Sequence, residues 1–321
     1  MTQQTSTLTS GKWAIVIFAS RESLDTLGRT VRAAQISAKD RASIDVLVNG
    51  NVPLALALAK QLCVQPLVSG TAAVRVWSIT LGDKANAWNQ YIHHIWSGEQ
   101  IAFFVDGYVR LNPDAVWLLG DAVAARPDVG GGTGVPRMGR TAEDLRAQMS
   151  LEGGFHGNFC CIKACAIEQM RQRRIVLPFG LYRVDSLMGA LLNFGLDPAR
   201  NDWVTARIFV HPQASWQTDP KHWWQTGHLR AHIKRVFRQS RGVLENLALR
   251  DHLHVREQSP ESLPATASEL VIDWVRRCPA QARAALWYNP LARRALADLR
   301  QSTFFAADNS QPNFMGSSKA L

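Results

Sequence analysis

The stretch Ile101-Ala102-Phe103-Phe104-Val105-Asp106-Gly107 constrains this chain more than any other. Five apolar residues in a row, two aromatic and two β-branched, read as a short strand buried on both faces. The run ends on a carboxylate, and the glycine after it permits a sharp turn. Asn112-Pro113 then reads as a helix opening, with a capping side chain and proline at the first helical position. Strand, acidic tip and helix put Asp106 at the carboxyl end of an open α/β sheet, where such sheets bind ligands. Ordinary loop chemistry is the alternative reading of the same carboxylate.

The same alternation fills the first half of the chain. Lys12 to Ala19 reads as a central strand, with Ser20 as a cap before Leu24, Leu27, Val31 and Ala34 at helical spacing. Ser43 to Val48 is a second strand, ended by the turn signal Asn49-Gly50-Asn51. Leu54 to Cys63 reads as a helix and Val74 to Thr80 as a strand. A helix then carries Trp88, Tyr91, Ile92 and Ile95 on one side, and Asn112 to Ala125 forms the next. This order predicts an α/β fold with a mainly parallel sheet and right-handed crossovers. Asp128 to Pro136 is glycine-rich and extended, and Arg137 to Ser150 reads as a loop or short helix over the site. Gly153 to Ile162 leads through a turn into a strand, and a helix begins at about Ala164. Leu177 to Gly180 is a turn, Val184 to Leu192 a helix stopped by Gly195, and Trp203 to His211 a strand.

Beyond Trp223 the character becomes helical, with an apolar stripe of Leu229, Ile233, Val236 and Phe237 among Arg and Lys residues. Helices are expected around Leu270–Cys278 and Leu291–Leu299. The expected division is a disordered start over 1–10, an α/β domain over 11–215, a helical extension over 216–305 and a disordered tail over 306–321. With 46 % hydrophobic and 19 % charged residues the chain is globular, and no apolar run reaches the length of a membrane span. The five cysteines show no paired framework, which favours reduced thiols and a cytoplasmic setting. A net charge of +10 favours anionic partners. The basic stretch Leu229–Arg241 leaves a solvated face, peripheral attachment to an anionic membrane surface and nucleic-acid binding open; no nucleic-acid fold accompanies it, so none is expected to bind.

Four segments in order resemble the inverting, family-2-like nucleotide-sugar glycosyltransferases of the GT-A fold. They are Val16-Ile17-Phe18-Ala19-Ser20-Arg21-Glu22, Val46-Leu47-Val48-Asn49-Gly50-Asn51, Gly82-Asp83-Lys84-Ala85-Asn86-Ala87-Trp88-Asn89 and Phe103-Phe104-Val105-Asp106-Gly107-Tyr108. A fifth segment, Gly153 to Asp185, matches the family's acceptor-side glycine turn, its proline and the acidic pair that opens a helix. The resemblance implies a GT-A domain with a helical C-terminal extension. It also implies transfer of a sugar from a nucleotide-sugar, UDP-linked, to a lipid-linked or other acceptor hydroxyl with inversion. The cysteines and the basic stretch Leu229–Arg241 set this in the cytoplasm, or peripherally at the inner face of the membrane.

Residue by residue, the resemblance makes Ala19, Ser20 and Glu22 a wall of the nucleotide pocket. Asn49 stands where the family usually has an Asp against the uracil ring. Lys84 faces the phosphates, and Asn89 on the same helix shapes the site. Asp106 matches the first acid of the D-x-D motif, followed by Gly107 and Tyr108. Asp185 matches the second acid of the Glu-Asp pair and takes the role of general base, with a simple helix cap as the alternative. Tyr108 replaces the second D-x-D acid, which usually binds Mn²⁺ or Mg²⁺, and Val184 replaces the Glu of the pair. Hard cations want carboxylate oxygens, so a divalent cation on Asp106 alone is in doubt. His211, at a strand end, is the extra ligand available, or only a polar strand end. Lys84, helped by Arg137 or Arg140, then carries the diphosphate charge.

Two rivals remain. A related nucleotidyltransferase wants a Gly-rich loop with Arg and Lys after the first strand, and Ser20-Arg21-Glu22 offers one Arg and no glycine. A non-catalytic nucleotide-sugar-binding scaffold needs only the fold. A zinc site at Cys160, Cys161, Cys165 and His156 is disfavoured, because adjacent strand residues point to opposite faces.

Overall fold

The computed structural model describes residues 13–64, 72–138, 142–152, 154–219, 226–301 and 311–318. Strand β1 (Trp13–Ala19) is buried along its whole length, which its unbroken apolar sequence requires of a strand covered on both faces. It is followed by α1 (Leu24–Ala38), β2 (Ala42–Asn49), α2 (Val52–Val64), β3 (Val74–Ile79), α3 (Lys84–Gln90) and β4 (Ile101–Asp106). α3 runs on into a π-helical turn, Tyr91–Ile95. The four strands are parallel in the order β4-β1-β2-β3, so their carboxyl ends share one edge of the domain.

The second half widens this sheet and mixes its directions. β5 (Val109–Leu111), α4 (Ala115–Ala124), β6 (Gly131–Pro136), α5 (Ala142–Glu152), β7 (Phe159–Lys163), α6 (Ala164–Gln172), α7 (Val184–Asn193) and β8 (Ile208–Thr218) follow in turn. β7 pairs antiparallel to both β4 and β6, β8 lies parallel to β6, and β5 caps that edge. The glycines of β6 answer a packing demand. A Cβ on Gly131 would fall 2.5 Å from the Cys161 carbonyl, and one on Gly134 2.4 Å from that of Ala214. The run Gly130–Gly134 is thus a crowded strand and not a phosphate loop.

Each face of the sheet carries its own core. On one, Trp88 stacks on Phe104 at 3.8 Å, under a layer that includes Leu187, Leu191, Leu244, Leu270 and Trp274. On the other, Trp13 and Phe103 meet edge-on at 5.7 Å against α1 and α4. Cys160 and Cys161 fall on opposite faces, as strand alternation requires. The helical extension is α8 (Thr226–Arg250), α9 (Ala267–Arg277), α10 (Pro279–Tyr288) and α11 (Pro290–Gln301), and α9 opens on a capping box of Thr266 and Glu269. Among the described residues no helix is long and apolar enough to cross a membrane.

Four expectations are corrected. The tail holds a strand, because β9 (Asn313–Ser317) pairs antiparallel with β3 and extends the sheet to nine strands among the described residues. Asn112-Pro113 does not open α4, which starts at Ala115. The Asn112 amide instead donates to Ser215 Oγ at 2.5 Å and ties β5 to β8. The strand expected from Trp203 begins at Ile208, because the Val204 N–H bonds back to the Asn193 carbonyl and residues 205–207 form a tight turn. His211 therefore lies within β8 and not at its end. The expected disorder of residues 1–10 lies outside the described residues, as do Arg140, Trp223 and Trp224.

Candidate functional site

The site forms where β1, β2 and β4 end. The Gly107 N–H donates to the Phe18 carbonyl at 2.8 Å, and a Cβ on Gly107 would sit 2.8 Å from that oxygen and 3.1 Å from the Ala19 Cβ. Only glycine lets the two strand tips lie this close. Thr30 of α1 donates to the Gly107 carbonyl at 2.9 Å and fixes the turn. Asp106, the last residue of β4, is thus held with its side chain 13 % exposed.

Both carboxylate oxygens of Asp106 are engaged. Oδ1 accepts the Lys84 ammonium, and Oδ2 accepts the Tyr108 hydroxyl at 3.0 Å. The same hydroxyl lies 3.2 Å from Asn158 Oδ1. Lys84 opens α3, where Asp83 is the N-cap and accepts the Asn86 N–H at 2.6 Å. The other Asp83 oxygen accepts the Gly180 N–H at 2.7 Å and draws the 177–183 loop onto the site. Burial works to lower the Lys84 ammonium, but Asp106, with Asp185 behind it, holds it above its ordinary value. Loss of water, followed by the Asp106 charge, pushes the Tyr108 phenol far above its own. Lys84 is charged and Tyr108 neutral throughout the physiological range.

Asp185 stands opposite, in the first turn of α7, and is not its cap; Arg183 holds that position. Asp185 Oδ1 accepts the Ser186 N–H at 3.0 Å. A Cβ on Gly157 would lie 3.2 Å from the Asp185 Cβ and 3.4 Å from Oδ2, so a side chain there would crowd the carboxylate. His156 completes the cluster, and the sequence reading weighed it only for zinc. Its ring packs on Trp216 at 5.0 Å, and Nδ1 accepts the Asn158 N–H at 3.2 Å. Burial lowers the imidazole; Asp185 and Asp106 oppose this, while Lys84 adds to it. The ring is therefore neutral at pH 7 and carries its proton on Nε2. The signal lay in the sequence as a histidine between glycines ahead of a strand.

Several of the other expected residues are spent on the protein's own backbone. Ala19 is buried at the end of β1. Glu22 Oε2 folds back to accept the Ser20 and Arg21 N–H groups at 2.6 and 2.9 Å, which closes the loop after β1. Asn49 donates to the Ala19 carbonyl at 2.9 Å, so its amide nitrogen joins the tips of β1 and β2 instead of facing a base. Asn89 is spent on the backbone of Leu177, 2.9 Å away in both directions, and shapes the site only through that loop. Arg137 reaches Asn112 Oδ1 at 3.3 Å, beside β5.

His211 does not join Asp106. Three strand spacings separate β8 from β4, roughly 14 Å. Its Nδ1 already accepts the Gln213 and Ala214 N–H groups, at 3.2 and 3.0 Å. Among the described residues no three His, Cys, Asp or Glu converge to hold a metal ion. Asp106 offers one carboxylate, already paired with an ammonium, beside a neutral phenol and an amide oxygen. That set does not fit Mn²⁺ or Mg²⁺, which take several hard oxygen ligands and would be repelled by Lys84.

No family model and no curated protein matches the sequence. Among solved structures, a mannosyltransferase from Pyrobaculum calidifontis in complex with GDP-Man and Mn²⁺ aligns with 94 % of this chain and 78 % of its own. The identity is 16 % and the TM-score 0.54. Glucosyl-3-phosphoglycerate synthase from Mycobacterium tuberculosis, in complex with Mn²⁺, UDP-Glc and phosphoglyceric acid, aligns with 74 % of this chain and 79 % of its own. There the identity is 13 % and the TM-score 0.45. The chain has the GT-A fold, and it resembles the nucleotide-sugar glycosyltransferases in the way its sequence segments imply. At such identity the likeness speaks for the fold alone.

Proposed function

We propose that this protein transfers a sugar from a nucleotide-sugar, UDP-linked, to an acceptor hydroxyl with inversion. The observation that carries the reading is the meeting of Lys84, Asp106 and Asp185 at the carboxyl ends of the parallel strands. In this reading Asp185 accepts the acceptor's hydroxyl proton. The acceptor oxygen bonds to the anomeric carbon as that carbon's bond to the diphosphate oxygen breaks. Lys84 answers the charge that develops on the leaving diphosphate. Asp106 positions Lys84 and the donor's ribose. No step is assigned to a metal, because the residues around Asp106 do not fit one. The reaction is set in the cytoplasm or at the inner membrane face, with a lipid-linked or other hydroxyl acceptor.

Two measurements test the reading. UDP at about a hundred times its dissociation constant adds roughly 2.7 kcal/mol to stability, and a thermal-shift panel with ADP, CDP and GDP ranks it first. Equal or absent shifts for all four remove the donor assignment. Asp185→Asn lowers turnover by about 10² to 10⁴ while UDP affinity stays put. Near-normal turnover of that variant means that the base lies elsewhere.

A non-catalytic scaffold is the second reading. It is favoured by one observation, the engagement of both Asp106 oxygens within the protein.

A further inference from the structure

The loop between α6 and α7 gathers two guanidinium groups on one aromatic ring. Arg183 lies 5.7 Å and Arg238 of α8 lies 5.9 Å from the centroid of Tyr182. Arg183 Nε is buried and makes no hydrogen bond among the described residues. Such a donor is costly to leave unpaired unless something else takes it up. Its position is also imposed from α8. A Cβ on Gly242 would lie 2.6 Å from Arg183 Nε and 3.1 Å from Tyr182 Cδ1, so Gly242 is the notch in which Arg183 rests.

The nearby acid meets Arg183 through its backbone and not its guanidinium. Glu245, fully buried, spends one oxygen on the Tyr182 and Arg183 N–H groups at 2.9 and 3.1 Å, and the other on Arg241 at 2.8 Å. Arg241 in turn donates to the Gly180 carbonyl, and the Gly180 N–H is held by Asp83, one residue from Lys84. One rigid path therefore runs from α8 through this loop to the site, and Arg183 sits two residues before Asp185.

We infer that Arg183, seated against Gly242, and Arg238, both braced on Tyr182, form a phosphoryl-anion site on the loop that leads into Asp185. The site deepens the glycosyl-transfer reading and rests on it for the identity of the anion. That anion is either the donor's diphosphate or a phosphate carried by the acceptor. It also gives α8 a part in the chemistry, since Arg238, Gly242 and Glu245 all lie on that helix.

The test is calorimetric titration of the full chain with pyrophosphate, UDP, uridine and orthophosphate, for wild type, Arg183→Gln and Arg238→Gln. Each variant is expected to bind pyrophosphate at least about ten-fold more weakly, with uridine unchanged and melting temperature nearly so. Arg238 lies on the exposed side of α8, so R238Q carries the test if R183Q disturbs the loop. UDP weakened in parallel assigns the anion to the donor. UDP bound as in wild type, with orthophosphate weakened on the UDP-saturated protein, assigns it to the acceptor. Both outcomes support the site. If both variants bind all these probes as wild type does, or wild type binds neither pyrophosphate nor orthophosphate, the inference is overturned. These readouts need no turnover, so loss of pyrophosphate binding in a protein that transfers no sugar keeps this site and removes only the reaction.

Discussion

In the proposed reaction Lys84 carries two duties. It neutralises Asp106, and it answers the charge on the leaving diphosphate. Removing it leaves the Asp106 carboxylate with only the Tyr108 hydroxyl and takes away a charge-assisted contact of about 1.5–3 kcal/mol. Lys84→Ala is therefore expected to weaken UDP binding about ten-fold to a hundred-fold. EDTA is expected to leave the wild-type isotherm where it was. Calorimetry with EDTA and then with excess Mn²⁺ separates these cases. Binding that collapses with EDTA and returns with Mn²⁺ would mean that Asp106 leaves Lys84 to take up a metal.

Among the elements, α8 and α9 with their connection hold the clearest pH dependence. His252, 5 % exposed, lies 2.9 Å from Arg256 Nη2 and 3.2 Å from Ser262 Oγ. Burial, followed by Arg256, brings its imidazole from 6.5 down to about 4. The folded protein then binds this proton less readily than the unfolded chain. Its stability is full above pH 6.5 and falls as pH drops from there through 4, by about 3 kcal/mol. Asp251 alongside adds a later loss. Burial raises its carboxyl, but Arg277 at 2.6 Å and Arg256 at 3.0 Å prevail and hold it below 3.8, so its contribution disappears only as pH falls through that lower value. Melting temperature followed from pH 7 to 4 is expected to decline, and His252→Gln to flatten the decline. An unchanged slope in the variant would place the titration elsewhere. The sequence announced such elements unevenly. The βα alternation was legible because β1 and β4 are unbroken apolar runs and α1 has a helical stripe, although its cap is Ser23 and not the expected Ser20. The site was legible where a motif coincides with a strand tip, as at Asp106. It was not legible where a side chain is spent on distant backbone: Asn49 on Ala19, Asn89 on Leu177 and Asn112 on Ser215 are each consistent with a binding or capping role until the partner strand is in place.

At the scale of the molecule, the sheet is completed by its own far end. β9 lies against β3, with Trp77 opposite Phe314 and their rings 5.2 Å apart. Ser318 closes the pairing: its N–H donates to the Val74 carbonyl at 2.9 Å, and its hydroxyl accepts the Val74 N–H at 2.9 Å. Among the described residues this covers the parallel strand that would otherwise present an open edge next to the pair of buried Asp45 and half-buried Arg75, whose two bonds are each 2.7 Å. An uncovered strand edge is a template for pairing with another chain. Deleting residues 311–321 is expected to lower the melting temperature by a few degrees, the scale of about 1–2 kcal/mol in a chain of this size. It is also expected to produce concentration-dependent light scattering. UDP affinity is expected to stay unchanged, since Lys84, Asp106 and Asp185 lie on α3, β4 and α7 and none on β3. A truncated protein that melts and scatters like the full chain would show that β9 covers an edge that needs no cover. Loss of UDP affinity with the edge pairing would instead tie the far side of the sheet to the site, through β2 and its terminal Asn49.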